Sequence, residues 1–334
     1  MRPLFHPQLV NDAFGDPGLY VEFMFERRAL LFDLGDLGGL STRRVLRVTD
    51  VFVSHAHMDH FIGFDYLLRL HLGRGKRLRL YGPPGFAAQV GHKLAAYTWN
   101  LVHRYEAQLV FEVLEVHPDG NAFVREFSSS SAFRHANERP FKLVDGVLFD
   151  EPALRVRTVF LEHGTSVLAF ALEEKAHVNV WKNRLQEMGL PMGPWLHALK
   201  RAVLAGLPDE TLVRVPGATA RDLPLGMLRE HLVRVVPGQK IAYIVDCDFS
   251  TANVRRIVSL ARDADWLYVE SPFLHEDVAH ATRKHHLTTR QAGWLAREAR
   301  AKRTVPFHFS PKYRDREAQL RSEVEESAAI GALT

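Results

Sequence analysis

Cysteine is almost absent from the 334-residue chain: Cys247 stands alone, which excludes an intrachain disulfide and a cysteine-built zinc ribbon. Any resident metal must therefore be held by histidine and carboxylate. Long apolar runs are also missing, and the start, Met1-Arg2-Pro3-Leu4-Phe5-His6-Pro7, has no apolar core of a secretion signal. A cytoplasmic protein with no membrane partner is the expectation. Low complexity is limited to the serines from Ser128 to Ser131. With 46% hydrophobic and 25% charged residues, neither global disorder nor a fibrous repeat is indicated. The length allows one large or two modest domains. Charge of neither sign dominates, and the formal +4 is compatible with a polyanionic partner without requiring one. Basic residues gather at Arg69, Arg74, Lys76, Arg77 and Arg79, and again at Arg297, Arg300, Lys302 and Arg303. Both groups read first as solvated surface.

Histidine is what the chain has. Between Ser54 and Phe61 stands His55-Ala56-His57-Met58-Asp59-His60, four metal-ligand side chains in six residues, directly after the apolar Val51-Phe52-Val53. In an extended loop the first two histidines, two apart, point the same way and can hold one cation. Asp59 and His60, entering the next helix, can face a second cation about 3.5–4 Å away, a separation suited to a bridging hydroxide and in-line displacement.

Along the chain, strands are expected over 19–25, 29–32, 45–53, 77–81 and 109–116, with a helix over 66–71 and a longer amphipathic one from Phe86 to about Tyr105. Residues 117–152, with weak periodicity and turn signals, read as an inserted hairpin plus loop. Strands resume at 154–161 and 166–172. Residues 175–235 read as helical pieces broken at Pro191, Pro194, Pro208, Pro216 and Pro224. Further strands at 240–245, 266–269 and 304–307 alternate with helices over 252–264 and from the N-cap Thr288. Four strands, ending near Val53, Leu161, Val245 and Phe307, each finish within a residue or two of a metal-ligand side chain. Strands that discharge such groups from one end build a site along that edge of a sheet.

The ordered set of Asp33 in Phe-Asp-Leu-Gly, the histidine cluster, His163, Asp246 and His308 resembles the metallo-β-lactamase fold superfamily. Later segments narrow the resemblance to its ribonuclease Z (tRNA 3′-processing endonuclease) group. His308-Phe-Ser-Pro-Lys-Tyr313 looks like that group's closing His-Phe-Ser-x-Arg-Tyr. His286-Leu-Thr before an Ala-rich helix looks like its His-Ser-Thr element, and Leu190-Pro-Met-Gly-Pro194 with Leu199-Lys200 is similar to its Pro-Gly-Pro segment. The chain departs from the group's pattern at Phe14-Gly15-Asp16-Pro17-Gly18, where a Gly-rich start with an Arg-Asn pair is usual. Val245-Asp246-Cys247 stands for Gly-Asp-Thr, and Glu270-Ser271-Pro272 for Glu-Ala-Thr.

The resemblance implies an α/β fold, a four-layered αββα sandwich forming a single hydrolase domain over 1–334. An insertion at about 117–152 and a substrate-binding helical arm at about 175–235 would be added to it. It places His55, His57 and His163 on one zinc, Asp59, His60 and His308 on the other, and Asp246 between them. Asp248, on the same side of an extended chain, is the alternative bridge. Manganese or iron would suit the same donors. Asp59 would orient the nucleophile and take its proton, and His286, its ring held by Glu270, would protonate the leaving oxygen. Lys200 and Arg201 would approach phosphates, with Trp195 as a stacking face and Lys312 and Tyr313 as further substrate contacts. The implied activity is removal of precursor tRNA 3′ trailers, with RNA as partner and a homodimer in which one subunit's arm serves the other. A phosphodiesterase of small or cyclic substrates on the same metals is the alternative, and a non-catalytic nucleic-acid-binding member a more distant one.

Overall fold

Period-two alternation sorts the side chains of the first strands onto two faces. Along Ala29–Phe32 and Val48–Phe52, Leu31 and Val51 turn one way while Phe32 and Phe52 turn the other. The protein is seen here as a computed structural model describing residues 4–217 and 220–329. Its first sheet has eight strands in chain order: β1 (Phe5–Leu9), β2 (Leu19–Phe23), β3 (Ala29–Phe32), β4 (Val48–Phe52), β5 (Lys76–Gly82), β6 (Leu109–Val116), β7 (Ala122–Ser128) and β8 (His135–Pro140). Strands β3 to β6 run parallel, and the flanking pairs are antiparallel. The remaining strands are β9 (Val147–Asp150), β10 (Leu154–Glu162), β11 (Ser166–Glu174), β12 (His177–Val180), β13 (Leu212–Val215), β14 (Arg221–Pro224), β15 (Val233–Val236), β16 (Lys240–Ile244), β17 (Trp266–Glu270) and β18 (Thr304–Phe307). The second sheet has the order β18-β17-β16-β11-β10-β9, with β16, β17 and β18 parallel.

The described chain divides into two compact units. The larger holds 5–148, 157–171 and 240–329. Inside it, Phe32, Phe52 and Tyr81 of the first sheet meet Phe170, Tyr243 and Phe307 of the second, with centroids 5.0 Å apart for Phe32–Phe52, 4.4 Å for Phe52–Tyr81, 5.6 Å for Phe32–Phe170 and 5.4 Å for Tyr243–Phe307. The opposite face of the first sheet is covered by the helices Phe64–His71 and Phe86–Ala95 through Phe64, Leu67, Phe86 and Val90. The second sheet carries the helices Thr251–Ala261 and Thr289–Glu298. The order helix, sheet, sheet, helix is the metallo-β-lactamase sandwich.

The smaller unit holds residue 4, 149–156, 172–217 and 220–239. Its core of Leu185, Trp195, Leu199, Leu225, Leu228 and Leu232 lies among the helices Lys182–Glu187, Trp195–Leu204 and Leu225–Leu232. The helical reading of 175–235 is corrected by two antiparallel ribbons, β12 with β15 and β13 with β14. Alternating valines explain them: Val213 and Val215 are buried while Leu212 and Arg214 are exposed.

One other expectation changes. The helix from Phe86 stops at Ala95, where Trp99 Nε1–H donates to the Leu94 carbonyl at 2.7 Å and closes its end. The 117–152 stretch contains the expected hairpin, β7 with β8, which extends the first sheet, and adds β9 at the edge of the second. In the two basic groups, read as solvated surface, Arg77, Arg300 and Lys302 are exposed and pair with Glu126, Asp263 and Asp265, while Arg79 pairs with buried Asp50. Among the described residues no helix is long and apolar enough to cross a membrane.

The aromatic layer between the sheets should dominate stability. Phe170→Ala is expected to cost about 3–5 kcal/mol, read from urea unfolding, because a fully buried ring leaves a cavity the two sheets cannot close.

Candidate metal centre

Four strand ends meet at one edge of the larger unit. Strand β4 runs into the 55–60 cluster, β10 ends at Glu162 before His163, β16 leads through Val245 to Asp246, and β18 delivers His308. Asp33, Asp246 and His308 take φ of 58°, 38° and 60°, a left-handed conformation that costs non-glycine residues of order 1–3 kcal/mol. Strain at three converging positions marks a place where orientation of a side chain is held against backbone preference.

Asp246, 3% exposed, is the centre of the arrangement. Its Oδ2 lies 3.6 Å from His55 Nε2, 3.4 Å from His60 Nε2 and 3.4 Å from His163 Nε2. Its Oδ1 lies 2.9 Å from His308 Nδ1, out of line for a hydrogen bond. Two ligand sets share this neighbourhood: His55, His57, His163 and Asp246 offer atoms all within 4.8 Å of one another, and so do Asp59, His60 and His308. A third grouping, Asp246, Glu270, His286 and His308, overlaps both. Buried His55 Nε2, His60 Nε2, His308 Nδ1 and Asp246 Oδ1 have no hydrogen-bond partner. Buried polar atoms without partners are costly, and four of them pointing at one another fit divalent cations. The clusters are consistent with a binuclear metal site.

Outer contacts aim the rings. His60 Nδ1 bonds Asp33 Oδ2 at 2.9 Å, His163 Nδ1–H donates to the His285 carbonyl at 2.8 Å, and His55 Nδ1 meets Ser54 Oγ at 3.1 Å. Each leaves Nε2 facing inward, the usual arrangement around a ligand histidine. Asp33 also accepts from Ser54 N at 2.6 Å and from the Tyr243 hydroxyl at 3.1 Å. Sequence reading picked out Asp33 only as part of a shared motif. Its position at the end of β3, before Leu34-Gly35, was the signal for this orienting role.

Electrostatics separate the histidines. Burial, then the neighbouring His60, hold His55 down to about 2, so its imidazole is neutral. For His60 burial opposes a charge, but the Asp246 and Asp33 carboxylates outweigh it and raise the ring to about 10. His308 is raised in the same way, burial being outweighed chiefly by Asp246. Asp246 itself is pushed up by burial and held well below the usual carboxylate range by His308 and His60.

Beside this centre, Glu270 is wholly buried at the end of β17. Its Oε2 bonds His286 Nδ1 at 2.7 Å, and its Oε1 accepts from Cys247 N at 3.0 Å and Leu287 N at 3.1 Å. His286 is raised: burial opposes, and the Glu270 carboxylate prevails.

Asp248 is turned away, its Oδ1 accepting from Ser250 N at 3.1 Å and Asn253 Nδ2 at 2.8 Å, so between the two aspartates it is Asp246 that faces the histidines. The expected substrate contacts are placed differently from one another. Trp195 is packed in the core of the smaller unit with Nε1–H donating to the Pro191 carbonyl, so its ring is not presented for stacking. Tyr313 is buried and its hydroxyl donates to Asp277, which also accepts Lys312 Nζ at 2.7 Å. Arg201 is exposed on the helix Trp195–Leu204, and burial lowers half-buried Lys200 from the usual lysine range.

No protein-family model matches the chain. It is 34% identical to ribonuclease Z of Deinococcus radiodurans over 304 residues, 90% of this chain and 87% of that one. Ribonuclease Z of Brevibacillus brevis is 26% identical over 92% of this chain and 83% of its own. Among solved structures, the metallo-β-lactamase fold protein YhfI of Bacillus subtilis superposes with a TM-score of 0.55 at 14% identity, covering 96% of this chain and 93% of its own. The short form of human tRNase Z gives 0.53 at 17% identity, covering 92% and 93%. At those identities the likeness to solved structures is one of fold.

The two aspartates should separate in metal content. Asp246→Asn is expected to reduce bound metal, measured by plasma emission on the purified protein, from about two equivalents to below one, while Asp248→Asn retains both.

Proposed function

The chain belongs to the ribonuclease Z family, and we propose that this metal-dependent hydrolase is an endoribonuclease that cuts precursor tRNA at its 3′ trailer, leaving a 3′-hydroxyl and a 5′-phosphate. The observation that carries this reading is the Glu270–His286 pair beside the doubled His/Asp site. Hydrolysis of an RNA phosphodiester expels a 3′-oxygen, a poor leaving group unless protonated, so a general acid is needed opposite the attacking water. A thioester, which expels a thiolate without a proton, has less use for such a pair.

His55, His57 and His163 would hold one cation and Asp59, His60 and His308 the other, with Asp246 between. The imidazole and carboxylate donors suit zinc, with manganese or iron as alternatives. When bound, the pair of cations supplies Lewis acidity toward a phosphoryl oxygen and water acidic enough to attack at neutral pH. Asp59, 41% exposed at its side chain and 3.3 Å from His308 Nε2, faces the solvent side of the centre. There its carboxylate orients the attacking water and takes the proton. His286 Nδ1 is occupied by Glu270, which leaves Nε2 as the ring atom that delivers a proton to the departing oxygen. Lys200 and exposed Arg201 of the smaller unit would contact phosphates by charge.

Incubation with a precursor tRNA carrying a 3′ trailer tests the reading. Cleavage at the discriminator is expected, and metal-loaded protein that hydrolyses a nitrophenyl phosphodiester but leaves the precursor intact would replace RNA by a small phosphodiester substrate. Asp59→Ala should abolish turnover while sparing RNA binding in a filter assay. His286→Ala should slow RNA cleavage roughly 10²–10⁴-fold, with a much smaller effect on the nitrophenyl ester, whose leaving group needs no proton.

A further inference from the structure

The segment that carries His286 is tied to the rest of the larger unit at two carboxylates. Glu270 holds the ring itself and the Leu287 amide. The second is Glu323, on the C-terminal helix Glu317–Ala329. Its Oε2 accepts from the His275 amide at 2.9 Å and from the Thr289 hydroxyl, and its Oε1 accepts from Arg290 Nε at 3.1 Å. These donors bracket the acid: His275 lies after β17, and Thr289 and Arg290 open the helix Thr289–Glu298 three residues after His286. The bracket is closed from within, since Thr289 N bonds the Phe273 carbonyl at 2.9 Å and His275 Nδ1 lies 2.9 Å from Thr288 Oγ1. Ser327 Oγ–H adds a bond to the Arg290 carbonyl at 2.7 Å.

Close helix packing sets this contact. A Cβ on Gly293 would meet the Val324 carbonyl oxygen at 2.3 Å, so only glycine there lets the C-terminal helix approach near enough for Glu323 to reach the loop. The side chain of Glu323 is only 16% exposed and serves three donors from two chain segments, more than a surface ion pair requires.

We infer that Glu323 is a positioning residue for the proton donor, clamping the 275 and 288–290 segments so that the intervening His286 is held against Glu270. This rests on the general-acid reading of His286. A residue acting only through a proton donor matters in proportion to how much the leaving group needs the proton, whereas a residue serving general stability or the metals affects all substrates alike.

Full-length metal-loaded protein with Glu323→Ala is expected to lose roughly 10–100-fold in kcat on precursor tRNA, with metal content and kcat on a nitrophenyl phosphodiester unchanged. Thr289→Val, an isosteric change that removes one donor and spares the fold should Glu323→Ala unfold, should give a smaller loss with the same substrate dependence. In a His286→Ala background Glu323→Ala should add no further loss on RNA. Equal losses on both substrates, or additive losses in the double variant, would overturn the positioning role. If His286→Ala alone slows both substrates equally, it is the general-acid reading that fails, and the two failures are told apart.

Discussion

A buried carboxylate that cannot be left alone organises this protein. Asp246 lies out of solvent with His55, His60 and His163 facing one oxygen and His308 beside the other. An isolated ionised carboxylate at such depth would cost several kcal/mol, so the site must supply positive charge. Asp246 draws positive charge toward itself, raising both His60 and His308 above the usual histidine range. Divalent cations would do the same work and also satisfy the ring nitrogens that no hydrogen bond reaches. The four strand ends are therefore held together by an electrostatic demand as well as by the sheets that carry them.

That demand can be met in one geometry only if the rings are prevented from turning. Asp33, Ser54 and the His285 carbonyl each occupy the outer nitrogen of one histidine, fixing the tautomer that presents Nε2 inward. Asp33 is in turn fixed by Ser54 and Tyr243, and Tyr243 belongs to the aromatic layer between the sheets. Packing in the middle of the sandwich is thus transmitted through one hydroxyl and one carboxylate to the orientation of a ligand ring. Positive φ at Asp33, Asp246 and His308 is the local cost of this convergence, offset by burial around it.

The histidine cluster was legible because its six residues are close in sequence, an extended His55-Ala56-His57 leading into the turn Met58–Phe61, where spacing alone limits orientation. Strand ends were legible for a related reason: a short apolar run followed by a ligand residue places that residue at an edge. Asp33 shares that strand-end signal after Ala29–Phe32, but which groups it orients was not legible, since its partners Ser54, His60 and Tyr243 are 21, 27 and 210 residues away. The choice between Asp246 and Asp248 was open because side chains two apart on a strand share a face, and only the loop bonds to Ser250 and Asn253 take Asp248 out. In 175–235 the prolines drew attention to helix breaks and masked the alternating valines of β12, β13 and β15. Trp195 shows the common weakness of composition arguments, because an aromatic beside basic residues looks like a stacking platform until packing claims its ring.

Two carboxylates within one site take opposite environments, and that difference supports the separate roles proposed for them. Glu270 is wholly buried with four close contacts and cannot exchange its partners without leaving a charge unpaired. It is suited to holding a ring still and keeping it charged. Asp59 is partly exposed on a helix four residues long, pushed up by burial yet held down to about 2 by the His308 ring beside it. A carboxylate that is ionised, accessible and anchored on one side has a free edge for water, which Glu270 lacks. Exchanging the two proposed roles would require a buried base with no path for water and an exposed positioner with no rigid support, so the burial pattern fits the proposal in which Asp59 meets the nucleophile and Glu270 stays behind the acid.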